Sequence, residues 1–158
     1  MSDLTPAEVL ALLPQRKPSR FVDEILEISA GHILSKHVWT EEDCAGHFPG
    51  NPVVPGVKML EMAVQTALIA WGYYLKGSAD AAQDAFFTEV ERAAFKKSVR
   101  PGEAVVCRAA FGKDGFYRDG RISAEVESKF LGGPKDGEVV FAGKITGVWV
   151  PKDSENLT

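Results

Sequence analysis

The sequence predicts an α+β domain in which one antiparallel sheet wraps around one long helix. Three observations carry that prediction. Residues 56–75, GVKMLEMAVQTALIAWGYYL, contain no internal proline and are apolar nearly all the way round, the pattern of a helix buried on most sides. From Ala85 onward the chain turns into strand-like runs, AFFTEVERAAF, EAVVCRAAFG, FYRDGRISAEVESKFL and EVVFAGKITGVWV. Pro-Gly, Lys-Asp-Gly and Gly-Gly-Pro-Lys-Asp-Gly punctuate them. Length and composition, 158 residues of which 45% are hydrophobic, suit a single domain over 1–158 with one sizeable core.

The elements follow in order. Thr5-Pro6-Ala7-Glu8 has the spacing of a capping box with proline at the first helical position, so a short helix opens over AEVLALL. Pro14 and Pro18 end it. The segment RFVDEILEISAGHILSKHVWT holds two β-like runs around Ser29-Ala30-Gly31, which predicts a hairpin. The long helix comes next, then the strands. The polar residues from about 151, PKDSENLT, read as a frayed tail.

Composition narrows the function classes. A net charge of −4 argues against nucleic acid as the main partner. No run of about 18 or more uninterrupted apolar residues exists, and Lys58, Glu61 and Gln65 interrupt the long helix, so membrane insertion is not expected. The start MSDLTPAEVL lacks the basic-then-apolar shape of a secretory signal, and Cys44 and Cys107 are too few for a disulfide framework or a cysteine-built metal site. A cytoplasmic protein with reduced thiols is the simplest expectation. In VERAAFKKSVRPGE, Arg92, Lys96, Lys97 and Arg100 put four of the 18 basic residues into one short stretch, a solvated strand end or a docking patch.

Chemistry concentrates in residues 47–65, HFPGNPVVPGVKMLEMAVQ. His47 is followed by Phe-Pro-Gly, so its backbone turns and lies outside any helix interior. Pro55-Gly56 falls where the long helix begins, and unpaired N–H groups at such a start can steady a developing oxyanion. Glu61 lies one turn further in among Met59, Leu60, Met62 and Val64, where burial disfavours the charged form and leaves an acid able to donate a proton. Gln65, four residues on, shares its helical face and can hold the carboxyl. A base, an acid and an oxyanion site suit proton removal beside a carbonyl coupled to loss of a group one carbon further on. Taken singly, each part has a plain structural reading: a core histidine, or a glutamate paired with Lys58. Cys44 three residues before His47 raises a thiol–imidazole pair. His32 and His37, five apart on one strand, face opposite sides, cannot easily share a metal, and read as ordinary strand residues.

The whole spacing, H-F-P-G-x-P-x-x-P-G-x-x-x-x-E-x-x-x-Q, resembles the active-site signature of the 3-hydroxyacyl-[acyl-carrier-protein] dehydratases, FabZ type. LLPQRKPSRFVDEILEI is similar to that family's opening Leu-Pro-x-Arg-x-Pro and Val-Asp phrases, and ERAAFKKSVRPGEAVV to its later Phe-Lys/Arg-x-x-Val-x-Pro-Gly stretch. The resemblance spans roughly residues 8 to 150. It implies a hotdog fold and a homodimer with joined sheets, in some members a trimer of dimers. It also implies an active site at the subunit interface, with His47 of one chain acting with Glu61 of the other. Gly56 would offer its N–H to the thioester carbonyl and Gln65 would support the acid. The substrate would be a (3R)-3-hydroxyacyl group on the phosphopantetheine of acyl carrier protein, held in an apolar tunnel whose depth depends on Phe86, Phe87, Phe95 and Trp71; no metal or redox cofactor is implied.

Acyl carrier proteins are acidic, so Arg92, Lys96, Lys97 and Arg100 become the expected docking patch. Glutamate at 61 favours the FabZ branch over the dehydratase–isomerase branch, which usually has aspartate there. Three positions depart from the pattern. Asn51 stands where histidine or aspartate is common, Lys58 where an apolar residue is usual, and Gln15 where histidine is frequent. Lys58 raises an expectation of its own, that a nearby cation lowers the Glu61 pKa. These departures hint at a specialised member, of a polyketide-like or aryl-polyene pathway. The competing readings are a thioesterase on the same fold, and a non-catalytic hotdog subunit that binds acyl carrier protein.

Overall fold

The computed structural model describes residues 2–78 and 83–157. The N-terminal helix α1 spans Pro6–Leu12 and carries the expected box: the Thr5 side chain accepts from the Glu8 N–H while the Glu8 carboxylate accepts from the Thr5 N–H. Strands β1 (Glu24–Ile28) and β2 (His32–Val38) form the hairpin around residues 29–31. A single 3₁₀ turn, Glu42–Cys44, then leads into the loop that contains His47.

The long helix is one continuous run over 56–76 with a change of pitch inside it. It begins as α2 (Gly56–Val64), widens into a π turn (Gln65–Ala70) and closes as α3 (Trp71–Lys76), ended by Gly77 in the left-handed region. The Trp71 N–H reaches back five residues to the Thr66 carbonyl. No residue pattern in the sequence announced this widening, because hydrophobicity on all sides conceals a shift of register.

Strands β3 (Gln83–Phe95), β4 (Ala104–Ala110), β5 (Phe116–Arg118), β6 (Arg121–Leu131) and β7 (Val139–Pro151) complete a seven-stranded antiparallel sheet in the order β1-β2-β4-β6-β7-β3, with β5 paired to β6. FYRDGRISAEVESKFL is therefore two strands. Asp119 and Gly120, both at positive φ, make the two-residue turn between them. The sheet curls around the helix, which is the hotdog arrangement.

Alternation decides which face is covered. On β4, Val105, Cys107 and Ala109 point inward, and on β6 Ala124, Val126 and Phe130 do the same. They pack on Met62, Ala63, Leu68 and Trp71, so the helix is encircled by apolar side chains. Two hydroxyls cross that interior without breaking it. Thr66 Oγ1 donates to the Met62 carbonyl at 2.8 Å and so accepts from Ser35 Oγ at 2.7 Å. Trp149 lies so close to the helix that a Cβ on Gly72 would stand 2.8 Å from its Nε1. Trp71, expected at the tunnel, belongs to this interior instead: it stacks on Phe111 and donates to the Ser29 carbonyl at 2.9 Å. No helix among the described residues is long and apolar enough to cross a membrane.

Candidate active site

The loop before α2 is built by its own backbone. The His47 N–H donates to the Cys44 carbonyl at 2.9 Å, and the Val53 N–H returns to the His47 carbonyl at 2.8 Å. Phe48 and Asn51 exchange two backbone hydrogen bonds across a tight turn, with Gly46 and Gly50 at positive φ on either side of His47. The His47–Phe48 peptide is cis, and the two rings stack with centroids 4.0 Å apart. His47 Nδ1 lies 2.9 Å from the Val53 carbonyl oxygen. A carbonyl only accepts, so Nδ1 holds the proton and Nε2 is left as the free lone pair. That is the tautomer a general base needs.

The Pro55-Gly56 junction starts α2 with no side chain capping it, and among the described residues the Gly56 and Val57 N–H groups have no hydrogen-bond acceptor. The Phe95 ring packs over this end: a Cβ on Gly56 would lie 3.2 Å from Phe95 Cδ1. A cavity of about 270 Å³ opens beside it, lined by Gly56, Met59, Phe95, Lys96 and Lys97 among others.

Glu61 is partly buried, and burial pushes its carboxyl above the ordinary carboxylate range, with the Gln65 hydrogen bond pulling the other way. Gln65 is fully buried and anchored by backbone. Its Nε2 donates to the Ser19 carbonyl at 2.6 Å and to Glu61 Oε1 at 3.0 Å, and its Oε1 accepts the Phe21 N–H at 2.8 Å. Lys58 does not reach Glu61. Its ammonium donates to the Asp43 carbonyl at 2.7 Å and sits 5.7 Å from the Phe21 ring centroid, so the expected lowering of the Glu61 pKa by this cation is not found.

Other expectations fare differently. Cys44 is buried and its thiol is pushed up by that burial; its backbone, not its sulfur, touches His47. Burial pushes Cys107 up to about 11. The four basic residues do not form one free patch. Arg92 pairs with Glu125 at 2.7 Å on the sheet face, Lys97 pairs with Glu138 at 3.2 Å, and Arg100 donates to Asn51 Oδ1 at 2.8 Å and to the Pro52 carbonyl at 3.3 Å. Lys96 and Lys97 line the Gly56 cavity, and Arg92 does not.

His37 was read as an ordinary strand residue and is not one. It is buried with Nδ1 2.9 Å from Asp23 Oδ1 and Nε2 2.8 Å from Asp43 Oδ2, its ring edge-on to Trp39. The available sequence signal was Thr40-Glu41-Glu42-Asp43, which has capping-box spacing: Asp43 N–H donates to Thr40 Oγ1 and Asp43 Oδ2 accepts the Thr40 N–H. Through Asp43 this cluster holds the turn that leads to His47.

Residues 30–120 match the family model of the ApeI-like proteins, described as ApeI dehydratase. The 3-hydroxyacyl-[acyl-carrier-protein] dehydratase FabZ of Levilactobacillus brevis is 40% identical over 108 residues, covering 66% of this chain and 71% of that one. The FabZ of Caldicellulosiruptor saccharolyticus is 34% identical over 148 residues, covering 91% of this chain and 100% of its own. The chain belongs to the FabZ-type 3-hydroxyacyl-[acyl-carrier-protein] dehydratase family. Among solved structures, the dehydratase heterocomplex ApeI:P from Xenorhabdus doucetiae superposes with a TM-score of 0.74 at 16% identity, over 94% of this chain and 93% of that one. The thioesterase HI1161 from Haemophilus influenzae gives 0.67 at 12% identity, over 98% and 96%. At such identities the likeness is one of fold, and it places this member of the dehydratase family among hotdog proteins of more than one chemistry.

Proposed function

We propose that this chain removes water from a (3R)-3-hydroxyacyl thioester carried on acyl carrier protein, giving the trans-2-enoyl thioester, in fatty acid or related polyketide-like synthesis. The observation that carries the reading is the protonation geometry: a histidine with Nε2 free and a carboxyl raised by burial, one on each side of the start of α2. His47 Nε2 takes a proton from C2. The electron pair moves into the C2–C3 bond and the C3–O bond breaks. Glu61 gives its proton to the departing hydroxyl, which leaves as water, and the Gly56 N–H steadies the thioester oxygen while charge builds on it. The residues ask for neither a metal nor a redox cofactor.

No hydrogen bond or ion pair joins His47 to Glu61 within the described chain; Val53 and Gln65 occupy them instead. On this reading the base and the acid meet in a homodimer that shares its sites, as the family resemblance implies. The edge strand β3 supports it, being 13 residues long, unpaired on its outer side, and exposing Phe86, Phe87 and Val90. Such an edge is a template for pairing with a second copy.

Mass spectrometry of a panel of 3-hydroxyacyl carrier-protein thioesters, incubated with wild type, His47→Ala and Glu61→Gln, tests the reading. Loss of one water by wild type and by neither variant is the expected result. Hydrolysis to the free acid identifies a thioesterase, and binding without turnover a non-catalytic subunit.

A further inference from the structure

The 3₁₀ turn before the His47 loop lacks one rung of its backbone ladder. The Cys44 N–H donates to the Glu41 carbonyl at 3.1 Å and the Ala45 N–H to the Glu42 carbonyl at 3.2 Å. One step is then skipped, and the His47 N–H donates to the Cys44 carbonyl at 2.9 Å. The skipped bond would run from the Gly46 N–H to the Asp43 carbonyl, and it is not made among the described residues. Ala45 leaves the helical region with ψ at 124° and Gly46 follows at positive φ, so the peptide between them is turned away. The Asp43 carbonyl needs another donor.

Lys58 supplies it. Its ammonium, in the first turn of α2 and fifteen residues further along the chain, donates to the Asp43 carbonyl at 2.7 Å. Among the described residues Lys58 forms no ion pair, so this carbonyl and the Phe21 ring are what receive its charge. The Cys44 thiol senses the same ammonium: burial raises the thiol, Asp43 adds to the rise, and Lys58 opposes it.

The contact also closes a circuit. Asp43 Oδ2 meets His37 Nε2 at 2.8 Å, His37 stands edge-on to Trp39, and Trp39 stacks on Phe21. The Phe21 N–H holds Gln65, which holds Glu61. His37 ties the turn to β2, and Lys58 ties it to the helix. Beyond His47, Arg100 holds Asn51 and Pro52. A base on a loop depends on such supports, because a displacement of about 1 Å can cost about a hundredfold in rate.

We propose that Lys58 is a positioning residue for the base: it fills the missing rung of the 3₁₀ turn and so fixes the His47 loop to the buried helix that carries Gly56 and Glu61. Its effect on rate rests on the dehydratase reading; the tether itself does not.

The test begins with Lys58→Met, which keeps an unbranched side chain and removes the donor. With a 3-hydroxyacyl carrier-protein thioester, kcat should fall about tenfold while KM stays within about twofold. Lys58→Cys should behave alike. Treating it with 2-bromoethylamine, which rebuilds an ammonium at nearly the length of lysine, should restore most of the rate, and ethylating the same thiol should not. Cys44 and Cys107 are buried, and wild type carried through both treatments controls for them. Hydrogen exchange read by mass spectrometry reports the tether without turnover. Peptides over 41–48 should exchange about tenfold faster in Lys58→Met, with those of β4 unchanged. An unaltered kcat, a change confined to KM, no recovery on aminoethylation, or exchange that quickens equally in β4 would overturn the proposal. Failure of wild type to release water defeats the dehydratase reading alone. Faster exchange confined to 41–48 then supports the tether, and unchanged exchange there overturns it.

Discussion

Gln65 donates to Glu61 Oε1 across 3.0 Å while its own amide is locked on both sides by the Ser19 carbonyl and the Phe21 N–H. The lock fixes which Gln65 atom faces the acid, because the oxygen is taken by a backbone donor. Glu61 Oε1 must therefore accept. When the acid is protonated, the proton sits on Oε2, the oxygen left to meet a departing hydroxyl.

Stability should report the raised Glu61 pKa with a definite sign. The folded state holds this proton more tightly than the unfolded chain, so burial is tolerated at low pH, and stability is lost as pH rises through the folded-state value. Glu61→Gln cannot ionise. Its melting temperature relative to wild type should thus improve from pH 4 to pH 8, as read by thermal melts of both proteins across the range. A constant difference would mean that Glu61 is not perturbed.

Gly56→Ala separates packing from catalysis. The added Cβ meets the Phe95 ring at 3.2 Å, and Phe95 is about half exposed, so the ring can yield a few tenths of an ångström. The unfolding free energy from denaturant titration should fall by less than about 1 kcal/mol, while kcat falls roughly tenfold because the shifted ring and helix end disturb the N–H that serves the thioester oxygen. Adding Phe95→Leu should restore part of the lost rate.

The basic residues should divide by role. Lys96→Glu, beside the Gly56 cavity, should raise the KM for acylated carrier protein several-fold at low salt and much less at high salt. Arg100→Ala should instead lower kcat with KM little changed, since its guanidinium clamps Asn51 and Pro52 in the His47 loop. Steady-state kinetics at two ionic strengths distinguishes the two outcomes.

His37→Ala should cost about 2–4 kcal/mol in urea unfolding, because it leaves the buried Asp43 carboxylate without its ring partner. His37→Gln, which keeps one donor, should cost less.

How far the sequence could be read follows from where its signals are local. The helix at 56–76, the hairpin at 29–31 and the Thr5–Glu8 box rest on spacing within a few residues, and the structure has each of them. His47, Gly56, Glu61 and Gln65 can be read as a set from the turn residues and helix start around them, and of that set the structure joins Gln65 to Glu61. What escaped was decided by distant partners. Lys58 was judged by its neighbour Glu61, yet its ammonium finds a carbonyl fifteen residues away in sequence. His37 looked ordinary because its two carboxylates come from the bend before β1 and the 3₁₀ turn after β2. The basic run looked uniform because pairing with Glu125 and Glu138 happens across the sheet.

If active sites are shared between subunits, subunit exchange reports it directly. His47→Ala and Glu61→Gln homodimers should each be inactive. When the two are mixed and allowed to exchange subunits, about half of the dimers become mixed, and in each mixed dimer one of two sites regains both groups. Recovered activity should approach about a quarter of wild type if His47 acts with the partner's acid. If both groups act from one chain, no mixed dimer contains an intact pair and the mixture stays silent. Val90→Asp, which puts a charge on the outer edge of β3, should lower both dimer content in sedimentation and wild-type activity, because separating the chains separates the base from the acid.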